Sequence, residues 1–288
     1  MLFEQHNLIK LFLFSVLILV QGCALQQVTR SKNLTYLEED SATSLPEKQL
    51  NVFAPKGAKD LPVLVFIHGG SWKSGKKEIY NFLGSRMARK SVVTVIIDYP
   101  LAPAKQIQSM ELAAVQSVIW TRNHIENYGG NPERIFISGH SAGGHLAALV
   151  AIKESSSLNS EIKNALKGAI LIDPAGLDMN WFLHETKGTE EGNKYLSAFT
   201  EDPEVWKAAS PIYFLEGEKM PILILEGEAT YPGIRLTVAR FRKEAEKKGV
   251  SLDYEYYENK KHIPMITQFF WTNNRGYKEV LEFIEENK

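Results

Sequence analysis

The sequence is short of several things, and each shortage removes a class of explanation. It holds one cysteine, Cys23, in 288 residues, so no internal disulfide can form. It has no His-x-x-x-His pair and no cysteine cluster, which leaves no metal-ligand spacing to build on. Neither sign of charge is in excess: the formal net charge is −1 and lysines are interspersed with glutamates. Nothing in that balance indicates a nucleic-acid partner or a basic membrane patch. There are no internal repeats and no low-complexity tracts. The composition, 44% hydrophobic and 23% charged, is that of a globular chain able to bury a substantial core.

A long membrane span is also missing. Leu8 to Val20 is apolar apart from Lys10 and Ser15, too short for a stable span of ~20 residues but suited to a signal-peptide core. It ends in Val20-Gln21-Gly22-Cys23-Ala24. A small residue followed by cysteine after an apolar run resembles the bacterial lipoprotein processing site, with Gln21 and Glu4 as departures. The resemblance implies that residues 1–22 are removed and that Cys23 carries lipid. The protein is then expected to be exported and membrane-anchored in a bacterial envelope. Gln26 to Pro46 is polar and without clear periodicity, which predicts that residues 23–46 form a tether, and residues 47–288 are expected to form the globular domain.

Within that domain, short apolar runs alternate with helix-period stretches. Val63–Ile67, Val92–Ile97, Ile135–Ile137, Ala169–Ile172 and Ile222–Leu225 are apolar on both faces, as strands covered by helices on both sides must be. Between them, Met110 to Ile125 and Ile234 to Lys248 repeat apolar residues at three and four, the second stopping at Gly249. This alternation predicts an α/β fold with a doubly wound, mostly parallel sheet. Asp178 to Pro211 is longer than a crossover needs. It reads as an insertion over the carboxyl edge of the sheet, where α/β ligands bind.

Two glycine motifs sit at strand ends. Ile135 to Ile137 leads through Gly139-His140-Ser141-Ala142-Gly143 into a helix from Leu146. The tight turn demands small flanking residues and leaves the serine hydroxyl exposed, so Ser141 is the candidate nucleophile. Val63–Ile67 ends in His68-Gly69-Gly70-Ser71-Trp72. Adjacent glycines allow backbone N–H groups to point into a cavity, and acyl transfer needs such donors for the oxyanion. Gly69, Gly70 and Ala142 are assigned that role, with His68 orienting the loop and Trp72 either lining the acyl pocket or packing beneath it.

HGGSW at 68–72, IDYPLAP at 97–103, YGGNPERIFISGHSAGGHLAAL at 128–149 and ASP at 209–211 together resemble the carboxylesterase, hormone-sensitive-lipase-like and arylformamidase branch of the α/β-hydrolases. The resemblance runs from about residue 47 to the end, and Pro100 replaces the arginine usual in relatives. It implies an α/β-hydrolase fold with a small insertion between strands six and seven and no cofactor. The implied activity is that of a serine hydrolase that cleaves small-molecule or polymer-borne carboxylic esters through an acyl-enzyme. An arylformamidase-type amidase and a non-catalytic binding protein of the same fold are the alternatives.

The resemblance places the general base in the loop after the last strand, where His262 stands. His145 is expected to pack or orient, and His184 to lie at the surface or in the pocket. The acid is open. Relatives carry an aspartate where this chain has Thr230, which cannot hold a negative charge. Glu228 is assigned the position because its longer side chain reaches back past Gly227. Asp173, at the end of strand six, is the second option and a Ser–His dyad the third. Glu226 is expected to point away.

Overall fold

The apolar runs pair side by side. The computed structural model describes residues 27–39, 46–154, 165–215 and 220–288. Its strands are β1 (Val28–Leu37), β2 (Lys48–Pro55), β3 (Leu61–Ile67), β4 (Val93–Ile97), β5 (Gly130–His140), β6 (Leu166–Ile172), β7 (Ile222–Ala229) and β8 (Asp253–Lys261). They form one eight-stranded sheet in the order β1-β2-β4-β3-β5-β6-β7-β8. β2 pairs antiparallel with β1 and with β4. From β4 to β8 every pairing is parallel.

The helices that matter to the site are α1 (Asn81–Ala88), α2 (Ile107–His124), α3 (Ala142–Ala148), α4 (Met179–Glu185), α5 (Pro203–Ala208), α6 (Pro232–Lys247), α7 (His262–Thr267) and α8 (Arg275–Glu286). Both faces of the sheet are covered. Val63, Val65 and Ile67 of β3 join Met110, Ala113 and Ala114 of α2 and Val238 and Phe241 of α6 in one core. The alternate residues, Leu64 and Phe66, join Leu83 and Met87 of α1 and Val280 and Phe283 of α8 in the other. Successive side chains of a strand point to opposite faces, so a strand covered twice must be apolar throughout. Phe66 and Phe136 are fully buried, and truncating either to alanine would cost about 3–5 kcal/mol.

α6 shows the local logic. Pro232 opens it, where a missing N–H costs nothing. Ile234, Val238, Phe241 and Ala245 form its buried stripe, and Gly249, at φ 66°, follows the end of the helix.

One expectation is corrected. Within the stretch read as a tether, Val28–Leu37 is the edge strand β1, paired with β2 from Val28↔Pro55 to Leu37↔Lys48. Its register breaks twice, between Ser31 and Leu34 and between Thr35 and Leu37. Four of its ten residues are exposed and only two are buried. Bulges and exposure erase the period-two signal that marks a strand in sequence. The expected signal segment and Cys23 lie outside the described residues. Among the described residues no helix is long and apolar enough to cross a membrane.

Candidate active site

The sheet's carboxyl edge carries the candidate residues, because every parallel strand ends there. β5 ends at His140, and Ser141 turns the chain into α3 with φ 57° and ψ −120°, a strained conformation for a residue with a side chain. The flanking glycines are sterically required: a Cβ on Gly143 would lie 2.1 Å from the Ile67 carbonyl oxygen, and one on Gly139 2.3 Å from Gly143. Ser141 is buried, and its hydroxyl donates to His262 Nε2 at 3.0 Å.

His262 opens α7, directly after β8. Its Nδ1–H donates to Asp173 Oδ2 at 2.5 Å. That bond fixes the tautomer, leaving Nε2 bare to accept the serine proton. Asp173 follows β6 with φ 47°, a left-handed conformation that aspartate tolerates better than most residues. It is fully buried, so its charge must be matched by donors. Besides His262 it accepts the Gly227 N–H at 3.0 Å on Oδ1 and the Thr230 hydroxyl on Oδ2.

The structure therefore puts Asp173, and not Glu228, behind the imidazole. The Glu228 carboxylate instead accepts the backbone N–H of Asn259 at 2.6 Å, at a half-exposed position. The longer side chain does not turn back because β8 offers it a donor nearer at hand. Thr230, at the place where relatives carry the acid, stands 3.3 Å from His262 Nδ1 and spends its hydroxyl on Asp173. Glu226 does point elsewhere, accepting the Tyr254 hydroxyl at 2.7 Å.

The glycine loop after β3 is correspondingly tight. A Cβ on Gly70, which has φ 134°, would lie 1.9 Å from the Ser74 carbonyl oxygen. A Cβ on Gly69 would press on the His140 carbonyl at 2.9 Å and on Ser141 Cβ at 3.3 Å. Gly69 differs from its expected role: its N–H donates to the Tyr80 hydroxyl at 3.2 Å, which ties the loop to the segment before α1. The sequence holds no cue to that bond, since Tyr80 lies eleven residues away on another element. Gly70, Ser71 and Ser141 line the same cavity, and Ala142 begins α3 beside them. His68 braces the loop as expected. Its Nδ1–H donates to the Gly69 carbonyl at 2.8 Å, and its ring stacks on Tyr99 at 4.3 Å.

Two further histidines support the centre in the neutral form. His140 donates from Nε2 to the His262 carbonyl at 3.2 Å, and burial, aided by the nearby His262, pushes its pKa down to about 3. His145 accepts the Trp72 indole N–H on Nδ1 at 3.2 Å and donates from Nε2 to the Ala209 carbonyl at 2.7 Å. Burial lowers its pKa to about 4. Trp72 is thereby both packed and pocket-facing, edge-on to His145, Tyr195 and Phe199. His184 is exposed and stacks edge-on against Trp206.

A cavity of about 520 Å³ stands over Ser141. Met179 and Phe182 of α4 and Tyr195, all from the insertion, form one wall, and Tyr231 and Ile234 at the start of α6 form another. The insertion thus covers the carboxyl edge as its length foretold.

A nucleophile elbow on the central strand, a histidine after the last strand and a carboxylate from a neighbouring strand end make this an α/β-hydrolase. Residues 50–231 match the BD-FAE family model, and the chain belongs to that family. It is 28% identical over 243 residues to the isoprenylcysteine alpha-carbonyl methylesterase of Arabidopsis thaliana, covering 77% of this chain and 55% of that protein. To the kynurenine formamidase of Danio rerio it is 25% identical over 248 residues, covering 82% of this chain and 78% of that protein. The chain spans about half the length of the methylesterases it matches. The crystal structure of esterase B from Lactobacillus rhamnosis shares the fold, with a TM-score of 0.74 at 18% identity over 100% of both chains.

Proposed function

We propose that the protein is a serine hydrolase that cleaves carboxylic esters through an acyl-enzyme on Ser141. The observation that carries the reading is His262, bridging the Ser141 hydroxyl at 3.0 Å and Asp173 at 2.5 Å on the floor of a cavity. Ser141 Oγ attacks the substrate carbonyl as His262 Nε2 takes its proton. The imidazolium that forms is held by Asp173. The Gly70 and Ala142 N–H groups receive the charge on the former carbonyl oxygen, each preset donor being worth about 3 kcal/mol in the transition state. His262 then returns its proton to the leaving alcohol, and a water activated by the same nitrogen releases the acid. A binding protein of the same fold would need none of these contacts kept in register.

The cavity walls favour a small ester with an apolar acyl or alcohol part. The same machinery opens amides, and the likeness to a formamidase makes N-formylkynurenine the informative competitor. Hydrolysis of short p-nitrophenyl esters should exceed that of N-formylkynurenine in kcat/KM. Ser141→Ala should abolish both hydrolysis and fluorophosphonate labelling with an unchanged melting temperature. Labelling that survives in this variant defeats the assignment.

The run from Leu8 to Val20 and the Gly22-Cys23 pair support export and a lipid anchor at Cys23 in a bacterial envelope. Expressed in a Gram-negative host, the wild type should incorporate palmitate and Cys23→Ser should not. A wild type without label removes the anchor from the account.

A further inference from the structure

A net charge of −1 conceals a local concentration of the opposite kind. Beside the edge strand lies a second cavity, of about 570 Å³, sharing no lining residue with the one over Ser141. Four cations line it, Arg30 and Lys32 from β1, Arg86 from α1 and Arg89 directly after that helix, together with Phe53 and Phe82. None of its lining residues is acidic. Among the described residues none of the four makes an ion pair, whereas Lys77, Lys153, Arg240 and Arg275 all do. Charges on an edge strand commonly guard against strand addition, which accounts for Arg30 and Lys32. It does not account for two arginines, Arg86 and Arg89, brought to the same cavity from the end of a helix on a separate segment.

Exposed aromatics adjoin the groove. Phe82 stacks on Phe270 at 3.7 Å between ring centres, and Phe270 is itself 45% exposed. Trp271, the next residue, is 73% exposed and precedes Thr272, which lines the groove. An exposed tryptophan costs free energy in water. Beside unpaired cations it has the composition of a surface that rests at a bilayer interface, with rings at the headgroup level and cations against anionic lipid.

We propose that this groove docks the anionic headgroups of a lipid bilayer. Chain continuity argues for lipid over another polyanion. Arg30 lies seven residues after Cys23 and ten after the apolar run, and seven residues span at most about 25 Å. Whatever holds Cys23 at a membrane holds this face close to it. The groove draws on the proposed anchor for its placement only, and vesicle charge and palmitate uptake read the two separately.

The test uses the mature chain, residues 23–288, carrying Cys23→Ser, sedimented with vesicles of phosphatidylcholine alone or with about 30% phosphatidylglycerol, at roughly 0.1 M salt. A cation near an anionic surface raises partitioning about fivefold, so four should favour the anionic vesicles about six-hundredfold. Raising salt to about 0.5 M should remove most of that preference. Arg86→Gln with Arg89→Gln, and separately Arg30→Gln with Lys32→Gln, should each lower it about twenty-five-fold while p-nitrophenyl acetate hydrolysis stays unchanged. Trp271→Ala should weaken binding to both vesicle types about fivefold. Equal binding to neutral and anionic vesicles overturns the proposal, as does a preference that survives both double substitutions. Retention on a soluble sulfated polysaccharide without any vesicle preference overturns it as well and reassigns the groove to a glycan.

Discussion

On the nucleophile side of the centre, one contiguous segment does the work: β5, the turn at Ser141 and α3 run without interruption from Gly130 to Ala148. On the acid side, Asp173, Thr230 and His262 come from the ends of β6, β7 and β8, the first and the last 89 positions apart. The two sides meet at a single imidazole. Their tolerance to change differs for a geometric reason. The elbow is fixed by atoms in van der Waals contact, so its glycines cannot be exchanged. The acid has only to present an oxygen to His262 Nδ1. Neighbouring parallel strands lie about 4.8 Å apart, and β6 pairs with β7 up to Ile172↔Leu225. A carboxylate can therefore move from the end of one strand to the end of the next without displacing the histidine it serves.

The largest expected effect on the acid side is that of Asp173→Asn. The amide places an NH₂ where Oδ2 now accepts from His262 and Thr230, so the imidazole is driven to the other tautomer and Nε2 keeps its proton. In the serine-protease example of this change, kcat falls about 10⁴-fold. A fall of about 10³- to 10⁴-fold in kcat with little change in KM is expected here, the mark of a contact that matters in the transition state. A loss under tenfold in steady-state ester hydrolysis would leave a Ser–His dyad and remove the acid side altogether.

That comparison also shows what the sequence could reveal. The strands β3 to β7 were legible because burial on both faces leaves runs such as Val63–Ile67 with no polar residue. The elbow and glycine loop were legible because their constraint is local. β1 was not, since Val28–Leu37 buries only part of one face and twice breaks register. Nor was the choice among Glu228, Asp173 and a dyad, because chain proximity favours Glu228 while the fold brings Asp173 to the imidazole. The part of Gly69 was misread for a similar reason, its N–H being held by a side chain from another element. Local sterics leave a signature in sequence, and contacts between strand ends do not.

A smaller effect should come from Thr230. Its hydroxyl is one of three donors to a buried carboxylate, and such a bond to a charged group is worth about 1.5–3 kcal/mol. Thr230→Val keeps the shape and removes the donor. Asp173 then retains Gly227 and His262, so kcat should fall about tenfold rather than a thousandfold. Thr230→Ser should restore most of it. Equal losses in the valine and serine variants would mean that the methyl group, not the hydroxyl, holds the acid side together.

The smallest effect belongs to Glu228, and it separates the two sides most sharply. Glu228 stands at the end of β7, two residues before Thr230, yet its carboxylate leaves the centre to receive the Asn259 N–H at 2.6 Å. Glu228→Gln preserves an amide oxygen for that donor. What is lost is one charge at a half-exposed position, where solvent screening leaves little interaction energy. Stability should change by no more than about 0.5 kcal/mol, and kcat by no more than about twofold. Chemical denaturation and ester kinetics on the same preparation measure both. If this variant instead lost orders of magnitude in kcat while Asp173→Asn kept its activity, the carboxylate serving His262 would come from β7, and Asp173 would be a structural link between Gly227 and Thr230. The two substitutions each remove one negative charge from carboxylates near the same histidine, so their contrast cannot arise from net charge. It reports which oxygen touches Nδ1.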